Sequence, residues 1–375
     1  MTSHRSPPPD VTELKWREPR LAEIRTPKGK LRLTFGPGSG LSRRPGDPPG
    51  VVWGVGDRGP NLKIKTAMER WGLDHLAPLR ERDGAKVLPL PDFQPCLAEL
   101  RVGRRRVHLE RLLPLEGPDG PLSGRAPAGS AEAAMEPTFD LAGHVLPADP
   151  AGVDPEGVAA LADGTFWVCE EYGPSLLQVG GDGAVLRRWT PAGHTLAGAE
   201  PVLPQAARRR RLNRGFEGLT ASGDGVFLYA VFQSAMADAP HESTAIWKLD
   251  AQSGALLAEY AYPFDTPESF TADAAAGEVR SKDLKVCDLA WVGPDRILVL
   301  ERISRSARIY RVDVSAPGRL AKTLVFSTDD HPDVAADLEG VTLLSERELL
   351  LVTDNDFGTE GAETRFYRVR FEGAL

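Results

Sequence analysis

The chain has 375 residues, of which 41% are hydrophobic and 26% charged, with a net charge of −8. That charge argues against a nucleic-acid partner, since duplex binding needs clustered cations that neutralise phosphates, and no apolar run reaches the length that spans a bilayer. Cys96, Cys169 and Cys287 are odd in number and widely spaced, and they read as buried free thiols.

In chain order, MTSHRSPPPD opens a terminus expected to be flexible over 1–20, leaving 21–375 as a single domain. No basic stretch followed by an apolar run stands there, so a cytoplasmic location is expected, or a periplasmic or secreted one if a leader is missing. The first hairpin, SGLSRRPGDPPGVVWGVGDRG (39–59), closes on Asp57. KTAMERWGLDHLA (65–77) fits a short amphipathic helix in an insertion, and CLAELRV (96–102) with RRVHLERLLPL (105–115) reads as strands. GRAPAGSAEAAMEP (124–137) is an Ala/Gly/Pro-rich loop. The Arg104–Arg106 and Arg208–Arg211 runs read as solvated faces.

Four further acidic hairpins follow: DPEGVAALADGTFWVCEEYGPSLL (154–177), FEGLTASGDGVFLYAVFQ (216–233), CDLAWVGPDRILVLER (287–302) and DLEGVTLLSERELLLVTDND (337–356). Each places an acid before an apolar strand. Residues equidistant from a tight turn lie opposite each other. Turn centres therefore pair Glu156 with Glu170, Asp288 with Glu301 and Glu339 with Asp354, and set Glu217 against Phe232.

The apolar runs TFWV, VFLY, RILVL and ELLLV suit strands buried on both faces. Radial repetition of antiparallel sheets buries them so, which predicts an all-β fold, a single β-propeller with short helical or irregular insertions. Five hairpins are visible and the gap from Asp57 to Glu156 leaves room for another, so six blades are expected.

Like charges gathered at equivalent hairpin ends either protonate or hold a cation. Hard oxygen ligands select calcium, or alternatively magnesium, and the expected ligands are Glu156, Glu217, Asp288 and Glu339. Arg58, Arg214, Lys285 and Arg302 accompany these acids and suit an anionic substrate, since guanidinium grips phosphate or carboxylate bidentately. They could instead be internal salt-bridge partners. No GxxxxGK[ST], GxSxG or HExxH motif occurs.

The combination DPEG, FWVCEEYGPSLL, NRGFEGL, DLEGV, VTDNDFG and VGDRGPN resembles the phytase-like propeller family known for an esterase-like activity of phytase, from about Leu31 to Val369. The resemblance implies an acidic, calcium-binding channel mouth and a hydrolytic activity. It singles out Arg58, Tyr172 and Asn355, which with Lys285 are expected to bind substrate. The DAADDPA and NNFDVR signatures of alkaline propeller phytases are missing, which counts against phytate as substrate.

The resulting expectation is a monomeric, metal-dependent hydrolase acting on a small anionic or ester substrate, phosphoester or carboxyl ester. Glu170 or Glu171 would take a proton from water while Arg214 and Arg302 stabilise negative charge. The alternatives are a calcium-dependent lactonase and a non-catalytic ligand- or protein-binding propeller with a structural ion.

Overall fold

The computed structural model describes residues 8–129, 135–277 and 279–375. Among the described residues, five mainly antiparallel sheets of four or five strands stand round one axis. The first blade runs outward through Gly40–Ser42, Val51–Val55, Cys96–Val102 and Val107–Pro114. The second comprises Pro155–Ala160, Phe166–Glu170, Ser175–Val179 and Val185–Pro191, with Glu200–Leu203 added in parallel. Phe216–Ala221, Phe227–Phe232, Ser243–Asp250 and Leu256–Pro263 form the third, edged by Gly318–Arg319. The fourth contains Lys285–Gly293, Arg296–Arg302, Ala307–Asp313 and Lys322–Ser327. In the fifth, Leu338–Ser345, Glu348–Thr353 and Phe366–Arg370 are completed by Asp10–Leu14 from the start of the chain.

Each innermost strand touches the next, and that of the fifth blade returns to that of the first. The expected propeller is therefore present with five blades, not six. The strands assigned to the extra blade, Cys96–Val102 and Val107–Pro114, pair instead onto Val51–Val55 as the outer half of the first blade. The expected flexible terminus is also corrected. Residues 1–7 lie outside the described residues, whereas Asp10–Leu14 pairs along its whole length with Phe366–Arg370 and closes the ring.

Every blade junction has its own apolar core. Trp53 meets Phe166 between the first two blades, and Trp167, Trp189, Phe216 and Trp247 fill the next junction. Tyr229 and Ile297, Leu298 and Leu351, and Val52 and Val352 serve the other three. The strand Phe166–Glu170 is buried at all of its residues, as its apolar run requires.

A satellite cluster lies over the hairpin Arg20–Thr26/Gly29–Thr34, with Leu31, Leu33, Leu62, Leu76 and Phe139 at its centre. It contains the insertion after the first hairpin. The helical signal there resolves into Ile64–Glu69 and a 3₁₀ turn Asp74–Leu79, interrupted where Gly72 takes φ of +72°. The three thiols are free and buried. Among the described residues no helix is long and apolar enough to cross a membrane.

Candidate functional site

The inner strands begin at one end of the ring, and in four of them the ladder skips a residue. The skips fall between Pro155 and Gly157, Phe216 and Gly218, Val286 and Asp288, and Leu338 and Gly340. A bulged residue leaves the ladder and its side chain is re-aimed. The four bulged residues are Glu156, Glu217, Cys287 and Glu339. Pairings expected from the turn centres are therefore displaced: Glu170 faces Pro155, Glu301 faces Val286, and Thr353, not Asp354, pairs at the end of the fifth hairpin.

Asp288 thus occupies the position held by Gly157, Gly218 and Gly340 in the other blades. Those glycines allow close approach at the axis, since a Cβ on Gly218 would lie 2.7 Å from the Asp288 backbone. The Asp288 carboxylate fills the space and accepts N–H bonds from Leu41 at 3.1 Å, Val341 at 2.9 Å and Leu289 at 2.8 Å. It ties the first and fifth blades to the fourth. It lies a layer below the metal-ligand position expected for it.

Above this layer opens a cavity of about 310 Å³ whose wall includes Asp57, Glu156, Glu171, Glu217, Glu339 and Asp354. Two groups converge there. Ligand atoms of Asp57, Asp154 and Glu156 lie within 4.8 Å of one another, as do those of Glu217, Cys287 and Glu339. The first group meets Arg58, whose Nη1 is 3.1 Å from Asp154 Oδ2 and 2.7 Å from Glu136, and which donates to Tyr172 Oη at 3.0 Å. The second is neutralised differently: Arg302 donates to Glu339, to Asp337 at 2.8 Å and to Cys287 Sγ at 3.2 Å, with Lys285 Nζ 3.7 Å from Glu339.

Proton affinities follow this division. Burial, then Glu217 and Asp154, raises Glu156 well above the carboxylate range. Burial and Asp154 do the same to Asp57, and burial and Glu217 to Glu171. Glu217 is pushed up to about 7 by burial and Glu339, against the opposing Lys285 and a hydrogen bond donated by Gln233. Burial would raise Glu339 as well, but Arg302 and Lys285 hold it below its usual value. Asp57 Oδ1, Glu171 Oε1 and Glu217 Oε2 are buried with no hydrogen-bond partner among the described residues.

Of the residues expected at the site, Arg58, Glu156, Glu171, Glu217, Lys285, Arg302 and Glu339 line this cavity, and Arg214 lines an adjoining one with Lys285 and Arg302. Three do not. Glu170 accepts N–H bonds from Tyr172 and Gly173 and the Ser175 hydroxyl, with Arg188 3.4 Å away, so it fixes the strand end. Tyr172 spends its hydroxyl on Gly124 O and Arg58. Asn355 accepts the Phe357 N–H and donates to Glu18 and Thr34. Arg210, from a run expected to be solvated, is buried and donates to Tyr172 O at 3.0 Å.

Sequence reasoning missed Asp154, Asp337 and Asp356. The first two were visible as the leading acid of DPEG and DLEG, and the third as the last of TDND. Lys63 and Lys86, contributed to the wall by the insertion, carried no signal.

A closed ring of five blades with carboxylates crowding one end of its axis defines an acidic-channel β-propeller. The chain belongs to the phytase-like family described as esterase-like activity of phytase, whose model matches residues 34–357. It is 29% identical over 221 residues to an uncharacterized secreted protein of Arthroderma benhamiae, a match that covers 50% of this chain and 40% of that relative. Similar solved structures include the PQQ-bound aldose sugar dehydrogenase of Streptomyces coelicolor, at 10% identity and TM-score 0.39, covering 97% of this chain and 98% of that one. The glutaminyl cyclase of Myxococcus xanthus matches at 9% identity and TM-score 0.41, covering 97% of each chain.

Proposed function

We propose that the acidic mouth is the active site of a metal-dependent hydrolase acting on a phosphoester or carboxyl ester with anionic character. The supporting observation is the charge imbalance at Asp57, Asp154 and Glu156. Their ligand atoms converge within 4.8 Å, and neither Asp57 Oδ1, with Arg58 Nε 3.8 Å away, nor the neighbouring Glu171 Oε1 accepts a hydrogen bond among the described residues. Such a group protonates or takes up a cation. Its all-oxygen donor set suits calcium, with magnesium the alternative. The group containing Cys287 already has Arg302 and Lys285 beside it and needs no ion.

When bound, calcium would polarise the scissile group and lower the pKa of a coordinated water. The chain's own residues supply the rest. Arg214, whose Nη1 is buried without a partner, and Lys285 bind the anionic portion of the substrate. Glu217, oriented by Gln233 and titrating near neutrality, takes and returns a proton. Glu171 completes the oxygen set, and Arg302 holds Glu339 in place. An exported location accords with calcium use and with the name of the Arthroderma relative.

The test is a calcium titration followed by calorimetric melting, beside a chromogenic panel of phosphate esters, carboxyl esters and lactones with and without chelator. Stabilisation by the ion with chelator-sensitive turnover is the expected result. Absence of both stabilisation and chelator sensitivity would overturn the proposal.

A further inference from the structure

The opposite end of the channel holds a second cavity of about 320 Å³. Asp288 separates the two: its carboxylate is bonded to the N–H groups of Leu41 and Leu289, both of which line this second space. All five inner strands supply its walls, and they do so where their side chains are small: Ser42, Ala160, Thr220, Ala290 and Thr342. Two blade junctions are latched at this level. Ser42 Oγ accepts the Ala160 N–H at 3.0 Å, and Thr220 Oγ1 accepts the Trp291 N–H at 3.0 Å.

The charged lining is of one sign. Arg43 and Arg44 border the cavity and, among the described residues, no carboxylate does, in a chain of net charge −8. Arg43 Nη1 donates to Leu344 O and Arg44 Nη2 to Gly164 O, each at 2.9 Å. The Arg44 guanidinium carbon lies 5.0 Å from the Trp53 ring centre and 4.5 Å from that of Phe166, so its plane is held in place. Its Nε is buried and has no acceptor among the described residues. Leu161, Leu289, Trp291 and Leu343 add apolar surface.

We propose that this cavity binds a small organic anion with an apolar body, such as a monocarboxylate. Its volume is near the lower end of small-molecule sites, about 300 to 1,000 Å³, and such sites join apolar walls to a few fixed polar groups. Two arginines at the border, each fixed by a backbone carbonyl, make the cavity's charge positive and suit a carboxylate. The five-strand wall, latched by hydroxyls, is rigid before the ligand arrives. This site is independent of hydrolysis at the acidic mouth.

Calorimetric titration of the full chain in chelator, with hexanoate, hexanol and inorganic phosphate as probes, tests it. Hexanoate is expected to bind one to one, with hexanol and phosphate weaker by about tenfold or more. Arg44→Met keeps the stem against Trp53 and Phe166 but loses the fork, and should weaken hexanoate by about tenfold. Ala221→Phe, which fills the cavity from its rim, should also abolish binding, and Glu171→Gln at the far mouth should leave it unchanged. Equal binding of hexanol, unaltered affinity in folded Arg44→Met and Ala221→Phe, or no saturable hexanoate binding would each overturn the site.

Discussion

Asp288 and Glu171 are both buried acids near the axis, yet their surroundings give them opposite roles. Asp288 accepts three backbone N–H bonds, and removing its carboxylate leaves those of Leu41 and Val341 without a partner. Each buried unsatisfied donor costs about 1–3 kcal/mol. Asp288→Ala is therefore expected to lower the denaturant midpoint by several kcal/mol equivalent while calcium affinity, read by calorimetry, stays within about twofold. A large loss of affinity in the folded variant would restore Asp288 to the ligand set. Glu171→Gln should do the reverse. Burial and Glu217 disfavour its charged form, so the metal-free variant should melt at or above the wild type while calcium no longer stabilises it. Glu170→Gln serves as the contrast: it breaks a satisfied network with Arg188 and Ser175 and should destabilise without altering the calcium response.

The inner-strand bulge decides what each hairpin presents to the axis. Gly218 follows the bulged Glu217, and a Cβ there would come 2.7 Å from Asp288 Cα and 3.0 Å from Leu289 N. Backbone atoms cannot yield as a flexible side chain can, so Gly218→Ala should force the third and fourth blades apart at the axis. Overpacking of this kind costs about 1–3 kcal/mol or more. Equilibrium unfolding of Gly218→Ala beside Gly164→Ala measures it. Gly164 has open space but φ of +92°, so the comparison separates crowding from backbone strain. The same bulges explain what could be read beforehand. Apolar runs such as TFWV and ELLLV revealed the hairpins and the propeller, because burial on both faces leaves a continuous pattern. An inserted residue at the hairpin's open end does not move the turn centre, so the one-residue shift that aims Cys287 to the axis left no trace. The blade number failed for a nonlocal reason: Val51–Val55 pairs with Cys96–Val102 across a long insertion, and those outer strands read as a hairpin of their own. Glu217 and Glu339 were legible from their motifs, whereas Lys86 reaches the cavity only through the fold of that insertion.

At the scale of the whole molecule, cation binding as proposed at the acidic mouth would make folding depend on pH and on cations together. Glu217 holds its proton to about pH 7, against an ordinary value of 4.5, and Asp57, Glu156, Glu171 and Asp354 are also raised. A carboxyl that is a weaker acid in the folded chain than in the unfolded chain gives the folded state more bound protons between the two pKa values. Stability must then fall as pH rises across that window. The metal-free protein is therefore expected to lose stability steadily from about pH 4.5 to about pH 7, with Glu217 alone accounting for a difference on the order of 3 kcal/mol. Asp265 and Asp329 are held low and act in the other direction, their contribution being lost only as pH falls below the usual carboxylate range. A bound divalent cation would replace the protons as the neutralising charge, so the gap between melting temperatures in calcium and in chelator should widen from pH 5 to pH 8. Glu217→Gln should reduce the slope of the chelator curve over the same interval, leaving the part due to the other raised carboxyls. A gap that stays constant with pH, or a chelator curve that rises through it, would show that the crowded carboxylates and the cation are not linked.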